Sequence, residues 1–206
     1  MTRIRVHQHV NPLAKYFREL EVDPLDPSSI FKNPGAKLHI DIGCGRGRFL
    51  LNIAKQFSDR NFLGLEIREP LVTGANKIRD AEGLSKLHYV FCSASIHLAR
   101  VLEVIPPENV DLITIQFPDP WFKKRHAKRR MVNPQLVGFI NNHLAADGRV
   151  FVQTDVGELA DDIAEHFQAA GFRGKKMDRS ILPVKTEREV SVENRNLPVY
   201  RAIYSR

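Results

Sequence analysis

The sequence predicts an α/β fold, a mostly parallel sheet with helices on both faces that ends in an antiparallel hairpin. Short β-rich apolar runs alternate with helical patterns from Gly35 onward, and this alternation predicts the parallel core. After Gly171, which fits a helix C-cap, two strand-like runs follow without a helical pattern between them, and these predict the hairpin. A glycine-rich turn directly after the first strand marks where such a sheet binds a ligand.

Residues 1–36 carry Pro12, Pro24, Pro27 and Pro34 among mixed polar residues, and read as an N-terminal arm with at most one short helix, around Pro12 to Leu20. Residues 37–206 read as a single domain, since a chain of 206 residues is short for two. Its strands are expected at Leu38–Ile42, Phe62–Leu65, Leu87–Phe91, Val110–Ile115 and Val150–Gln153. Its helices are expected at Phe49–Phe57, Leu71–Ala81, Ile96–Ile105, Pro134–Leu144 and Leu159–Ala169. The hairpin strands are Lys176–Leu182 and Val199–Tyr204, joined by a polar loop.

Lysine and arginine total 31 against 24 aspartates and glutamates, a net charge of +7 that points to an acidic partner such as nucleic acid or an anionic membrane surface. No run approaches the roughly 18 apolar residues of a membrane span, and Met1 to His7 lacks the apolar core of a signal peptide. The chain is therefore expected to be soluble, unexported and cytoplasmic, with no membrane partner. Cys44 and Cys92 sit among apolar residues and read as buried, reduced thiols, and the eight histidines show no zinc spacing, so no metal is expected.

The turn reads Asp41-Ile42-Gly43-Cys44-Gly45-Arg46-Gly47-Arg48. A dinucleotide fingerprint would need its third glycine at position 48, which is Arg48; the third glycine is Gly47, which favours a nucleoside without pyrophosphate. Alone, such a loop is equally a plain tight turn. Asp41, ending the first strand, suits the ammonium of a methionine moiety, and Glu66, ending the second, suits both hydroxyls of a ribose. This core resembles the class I S-adenosylmethionine-dependent methyltransferases, Rossmann-like folds. The resemblance implies seven strands with the last antiparallel, and S-adenosylmethionine as donor bound by Asp41, Gly43, Gly45, Gly47 and Glu66. Where related families carry an adenine-binding acid the chain has Ala94, which leaves backbone groups, Ser93 or Ser95 for that contact.

After the fourth strand comes Phe117-Pro118-Asp119-Pro120-Trp121, at the sheet edge where the donor methyl would lie. Two prolines fix the direction of Asp119, although a rigid turn with a core tryptophan is the simpler structural reading. Residues 120–146 contain no acid, while Lys123, Lys124, Arg125, Lys128, Arg129 and Arg130 supply six positive charges. This segment resembles the tRNA (guanine-N7)-methyltransferase family, whose signature is FPDPW followed by a basic stretch. The resemblance extends to Gln153-Thr154-Asp155 and to the TxxE element Thr186–Glu189. It implies transfer of a methyl group to a guanine in the variable loop of tRNA, with Asp119 catalytic and beside the cofactor, and Lys123, Asp155, Thr186 and Glu189 binding the RNA substrate.

Guanine N7 carries an in-plane lone pair and no proton, so the reaction needs charge stabilisation and orientation from Asp119 and no general base. Glu189 can accept from guanine N1–H and the N2 amine together. From spacing alone, Thr186 and Glu189 would read as a salt-bridged loop with Arg188. The cations Lys124, Arg125, Lys128, Arg129 and Arg130 suit phosphate contacts, and Arg3, Arg5, His7 and His9 read equally as an extension of that basic surface or as a disordered tail. Two rival readings stand beside this one: a methyltransferase with a different acceptor, although an amino-group acceptor would favour Asn at Phe117, and a non-catalytic RNA-binding protein on the same scaffold.

Overall fold

A computed structural model describes residues 10–206; Arg3, Arg5, His7 and His9 lie outside the described residues. Seven strands form one sheet: β1 (Lys37–Ile42), β2 (Arg60–Glu66), β3 (Leu87–Phe91), β4 (Val110–Gln116), β5 (Arg149–Thr154), β6 (Arg173–Met177) and β7 (Tyr200–Ser205). Their order is β3-β2-β1-β4-β5-β7-β6, and β7 runs antiparallel to both β5 and β6 while the other pairs are parallel. Strands covered on both faces need near-continuous apolar runs. The central strands have them, with Ile40, Ile42, Leu63, Ile113, Ile115, Val150 and Phe151 all buried.

The connecting helices are α3 (Arg48–Ala54), α4 (Glu69–Ala81), α5 (Ala94–Val101), α6 (Pro134–His143) and α7 (Gly157–Ala169). Apolar stripes on α5, α6 and α7 join the larger core through Leu98, Leu136, Ile140, Ile163 and Phe167. Phe49, Leu50, Ile53, Val72 and Ala75 from α3 and α4 build the smaller core on the opposite face. Asn133 caps α6 through the Leu136 N–H at 3.0 Å, and Gly171, at φ +87°, ends α7.

Three expectations need correction. The segment before β1 holds two short helices, α1 (Lys15–Glu19) and α2 (Pro27–Ile30), the second started by Asp26 accepting from the Ser28 N–H. Phe31, just after α2, is buried in the main core, and Phe17 packs edge-on against Phe91 of β3. The first hairpin strand begins near Arg173 instead of Lys176, because the exposed edge strand β6 takes its register from β7 and carries no apolar pattern of its own. The loop before β7 is not merely polar: it folds as α8 (Glu187–Glu193), nucleated by Thr186, whose hydroxyl accepts from the Glu189 N–H at 3.0 Å.

Candidate active site

The carboxyl ends of β1, β2, β4 and β5 converge, with α8 beyond them, on one open cleft of about 1050 Å³. Asp41, the glycine loop, Arg68, Gln116 to Pro120, Asp155 and Thr186 to Arg188 line it. A smaller recess of about 140 Å³ adjoins it and shares Gly43, Arg68 and Gln116 to Asp119. Leu65 to Arg68, Cys92 to Ser95, Trp121, Arg129 and Met131 complete its wall, and Val10 and Pro12 reach over from the N-terminal segment.

The turn into α3 takes left-handed backbone at Gly43, Gly45 and Gly47 (φ +80°, +58° and +72°), conformations that disfavour a Cβ. Tyr89 of β3 secures it: its hydroxyl donates to the Gly47 carbonyl at 2.6 Å. The ring lies so close that a Cβ on Gly47 or Gly64 would come within 2.5 Å and 2.4 Å of it. Neither Tyr89 nor Gly64 stands out in the sequence, because their importance is steric and lies across β2 and β3.

Two acids sit below the loop, both almost fully buried. Glu66 accepts four hydrogen bonds, from the Gly45 N–H at 2.8 Å, the Arg68 N–H at 3.0 Å, and Arg68 Nε and Nη2 at 2.7 and 3.1 Å. Asp41 Oδ1 accepts from Thr114 Oγ1 at 2.6 Å and Gln116 Nε2 at 3.2 Å. Burial pushes the Asp41 carboxyl up to about 6, against the opposing effect of those two donors. His39, 3.0 Å from Thr114 Oγ1, is driven by burial down to about 3 and is a neutral partner. Both thiols are free, and burial raises both, Cys92 to about 12; Cys92 is buried as read, whereas Cys44 is half-buried and lines the cleft. Ala94 opens α5 after Ser93, whose N–H donates to His97 Nδ1 at 3.1 Å, and the Ser93 and Ser95 hydroxyls lie 3.3 Å apart beside the recess.

The segment after β4 is held in an uncommon shape, with positive φ at both ends: +50° at Phe117 and +45° at Trp121. Asp119 is exposed between them and lines both the cleft and the recess. Arg129 lies over the Trp121 ring, 5.1 Å from its centroid, and His126 packs edge-on against it. Arg130 departs from the expected phosphate role. Its guanidinium bonds the Pro120 carbonyl at 3.0 Å, Asp162 at 3.1 Å and Glu158 at 3.0 Å, tying the segment to α7 with the side chain only 10% exposed. Lys123, Lys124, Arg125 and Lys128 are exposed along a 3-10 turn (Lys124–Arg129), and Lys123 lines neither the cleft nor the recess.

On the far wall, Asp155 pairs with Arg188, and Thr186 lines the cleft with a hydroxyl proton still able to donate. Glu189 is different. It is wholly buried, with Oε1 held by Arg201 at 2.8 Å and Oε2 by Gln153 at 3.1 Å, so in this conformation it offers a base no acceptor. The spacing that reads as a ligand pair is first of all a helix start. Among the described residues no group of three or more His, Cys, Asp or Glu could hold a metal ion, and no helix is long and apolar enough to cross a membrane.

Residues 35–202 match a family model described as "Putative methyltransferase". The tRNA (guanine-N(7)-)-methyltransferase of Trichormus variabilis is 48% identical, over 98% of this chain and 96% of that protein. The chain belongs to the tRNA (guanine-N7)-methyltransferase family. Another member, from Synechococcus elongatus, is 46% identical over 100% of this chain and 98% of its own. A TehB-like SAM-dependent methyltransferase from Corynebacterium glutamicum has the same fold at 18% identity, with a TM-score of 0.56 over 84% of this chain and 80% of that one. The FPDPW segment that carried the sequence resemblance is the strained segment holding Asp119, and the TxxE element is the N-cap and first turn of α8.

Proposed function

We propose that this chain transfers the methyl group of S-adenosylmethionine to N7 of a guanine in the variable loop of tRNA, in the cytoplasm. The observation that carries the reading is the position of Asp119, among the described residues the one acid that lines both the recess and the open cleft. The recess together with the adjoining wall of the cleft suits the donor: Asp41 and the glycine loop on the cleft side take its ammonium and backbone-hugging chain, and Ser93 and Ser95 with the start of α5, in the recess, face the adenine. Glu66 has room for about four donors and all are supplied, two of them by the Arg68 side chain. Ribose hydroxyls that bind Glu66 therefore replace the guanidinium, which swings into the cleft.

Guanine N7 attacks the donor methyl in line; the N–C bond forms as the C–S bond breaks, S-adenosylhomocysteine leaves, and the positive charge passes to the purine. Asp119 faces that charge and orients the ring, and no proton has to be removed. Asp155 and Thr186 offer acceptor and donor groups on the opposite wall. Glu189 reaches the base only by exchanging Arg201 for it, and otherwise supports α8. Lys123, Lys124, Arg125 and Lys128 grip phosphates around the pocket, with affinity that falls steeply with salt.

The test is nucleoside analysis of unmodified tRNA incubated with the protein and methyl-labelled donor, followed by mapping of the labelled fragment. Label on N7-methylguanosine from the variable loop is the expected result. Label on any other atom refutes the reading, and RNA binding without donor binding would establish the non-catalytic alternative.

A further inference from the structure

A row of buried and half-buried polar side chains crosses four strands, and its Asp41 and Gln116 end lines the cleft. Gln116 and Gln153 are register partners on β4 and β5, and Gln153 pairs in turn with Arg201 on β7. Thr114, two residues before Gln116 and so on the same face, pairs with Asp41 on β1. Gln153 is fully buried, as is Glu189 above it.

The hydrogen bonds run in one direction. Arg201 Nε is only a donor, so the Gln153 atom 3.1 Å from it is the carbonyl oxygen. The Gln153 amide nitrogen then donates to Glu189 Oε2 at 3.1 Å and to Gln116 Oε1 at 2.9 Å. With its oxygen so engaged, Gln116 turns its nitrogen to Asp41 Oδ1 at 3.2 Å. A fixed cation at one end thus orients two amides toward a buried carboxylate at the other, and each bond polarises the next. The opposite end of the row also bears Glu189 and Glu193, which share the Arg201 guanidinium and anchor α8.

We propose that Gln116 and Gln153 are positioning residues that hold Asp41 as an oriented carboxylate for the donor's ammonium and couple donor binding to the seating of α8. The proposal rests on the reading of Asp41 as a donor ligand. Neither glutamine takes part in methyl transfer; Gln153 acts entirely through its neighbours. Burial works against the charge that Asp41 needs, and its carboxyl is raised to about 6 even with Gln116 donating. The groups facing it are Thr114 and Gln116 from β4, Glu66 from β2 and the Cys44 thiol, with Arg68 paired to Glu66. Of these, Gln116 is the group whose orientation is set from across the sheet, through Gln153 and the Arg201, Glu189 and Glu193 cluster.

The test is calorimetric titration of S-adenosylmethionine into the full chain between pH 5 and 8, for the wild type, Gln153→Met, Asp41→Asn and the double variant. Gln153→Met should weaken binding roughly five- to tenfold, in the ordinary range of coupling between sites, and move the acid midpoint of binding to higher pH. In the Asp41→Asn background the same substitution should cost less than about twofold, since no carboxylate remains to support. An unchanged affinity and midpoint, or an equal loss in both backgrounds, overturns the proposal. Should Gln153→Met unfold the chain, Gln153→Asn keeps an amide and shortens its reach, with the same outcomes expected. A wild-type chain that binds no donor at all refutes the methyltransferase reading itself; a wild type that binds, with indifferent Gln153 variants, refutes only the relay.

Discussion

The two sides of the cleft that we propose for the donor and the acceptor are built on opposite principles. On the donor side Asp41 and Glu66 are buried and every bond they make is fixed by the sheet, the glycine loop or Arg68. On the acceptor side Asp119 is exposed on a short strained segment, and Asp155 and Thr186 belong to elements that close the cleft from beyond β5. A small flexible donor is served by a pocket preformed in all but the displaceable Arg68 guanidinium; a folded RNA brings its own shape, and needs a rigid carboxylate mount within an open, basic rim.

The contrast breaks most visibly at Asp119. Asp119→Ala should lower kcat by about 10²–10³-fold, the scale of losing one charge-stabilising group, with tRNA and donor affinities changed less than about threefold; single-turnover methylation and separate binding titrations check this. A comparable loss of donor affinity would mean that the acid belongs to the donor side.

The donor side should show its own signature in acid. Because the folded Asp41 value of about 6 lies above the ordinary 3.8, its contribution to stability is complete below about pH 3.8 and is lost as pH rises through 6. Ammonium binding needs the ionised form, so donor affinity should rise with pH through about 6 in the wild type and stay flat, and weaker, in Asp41→Asn. Parallel profiles for the two proteins would remove Asp41 from donor binding.

The basic segment divides the same way. Neutralising Lys124, Arg125 and Lys128 should weaken tRNA binding and reduce its salt slope by up to about one for each phosphate no longer neutralised. Arg130→Ala should leave that slope nearly unchanged and lower kcat instead, because Arg130 holds the Asp119 segment to α7. The smallest effect is expected from Tyr89→Phe, which removes one buried hydrogen bond to Gly47 and should cost about 1 kcal/mol of stability, with a modest loss of donor affinity by titration.

The parallel core was legible because its strands are buried on both faces and announce themselves as apolar runs; β3 falls at Leu87–Phe91, where the pattern places it. The convergence of Asp41, the glycine loop and Glu66 at one sheet edge was also legible, since their places at the ends of β1 and β2 follow from the strand pattern, although the loop alone reads equally as a tight turn. The acceptor side was read only through its resemblance, and partly misread. Arg130 looks like one more cation in a basic run, and what distinguishes it, Glu158 and Asp162, lies some thirty residues away. Thr186 and Glu189 have the spacing of a capping box, and the helix they start is short, with only Val190 and Val192 as apolar residues. Glu189 is claimed by Arg201, a partner visible only once β7 is placed beside β5.

The left-handed backbone at Phe117 and Trp121 also bears on how far this chain can be made more robust. Each costs on the order of 1 kcal/mol or more, so the segment is a standing deduction from global stability. Replacing either residue with glycine would release that deduction and slacken the direction of Asp119 together. Heat tolerance and turnover therefore compete at these two positions, and a selection for thermostability alone would erode the enzyme at its own signature.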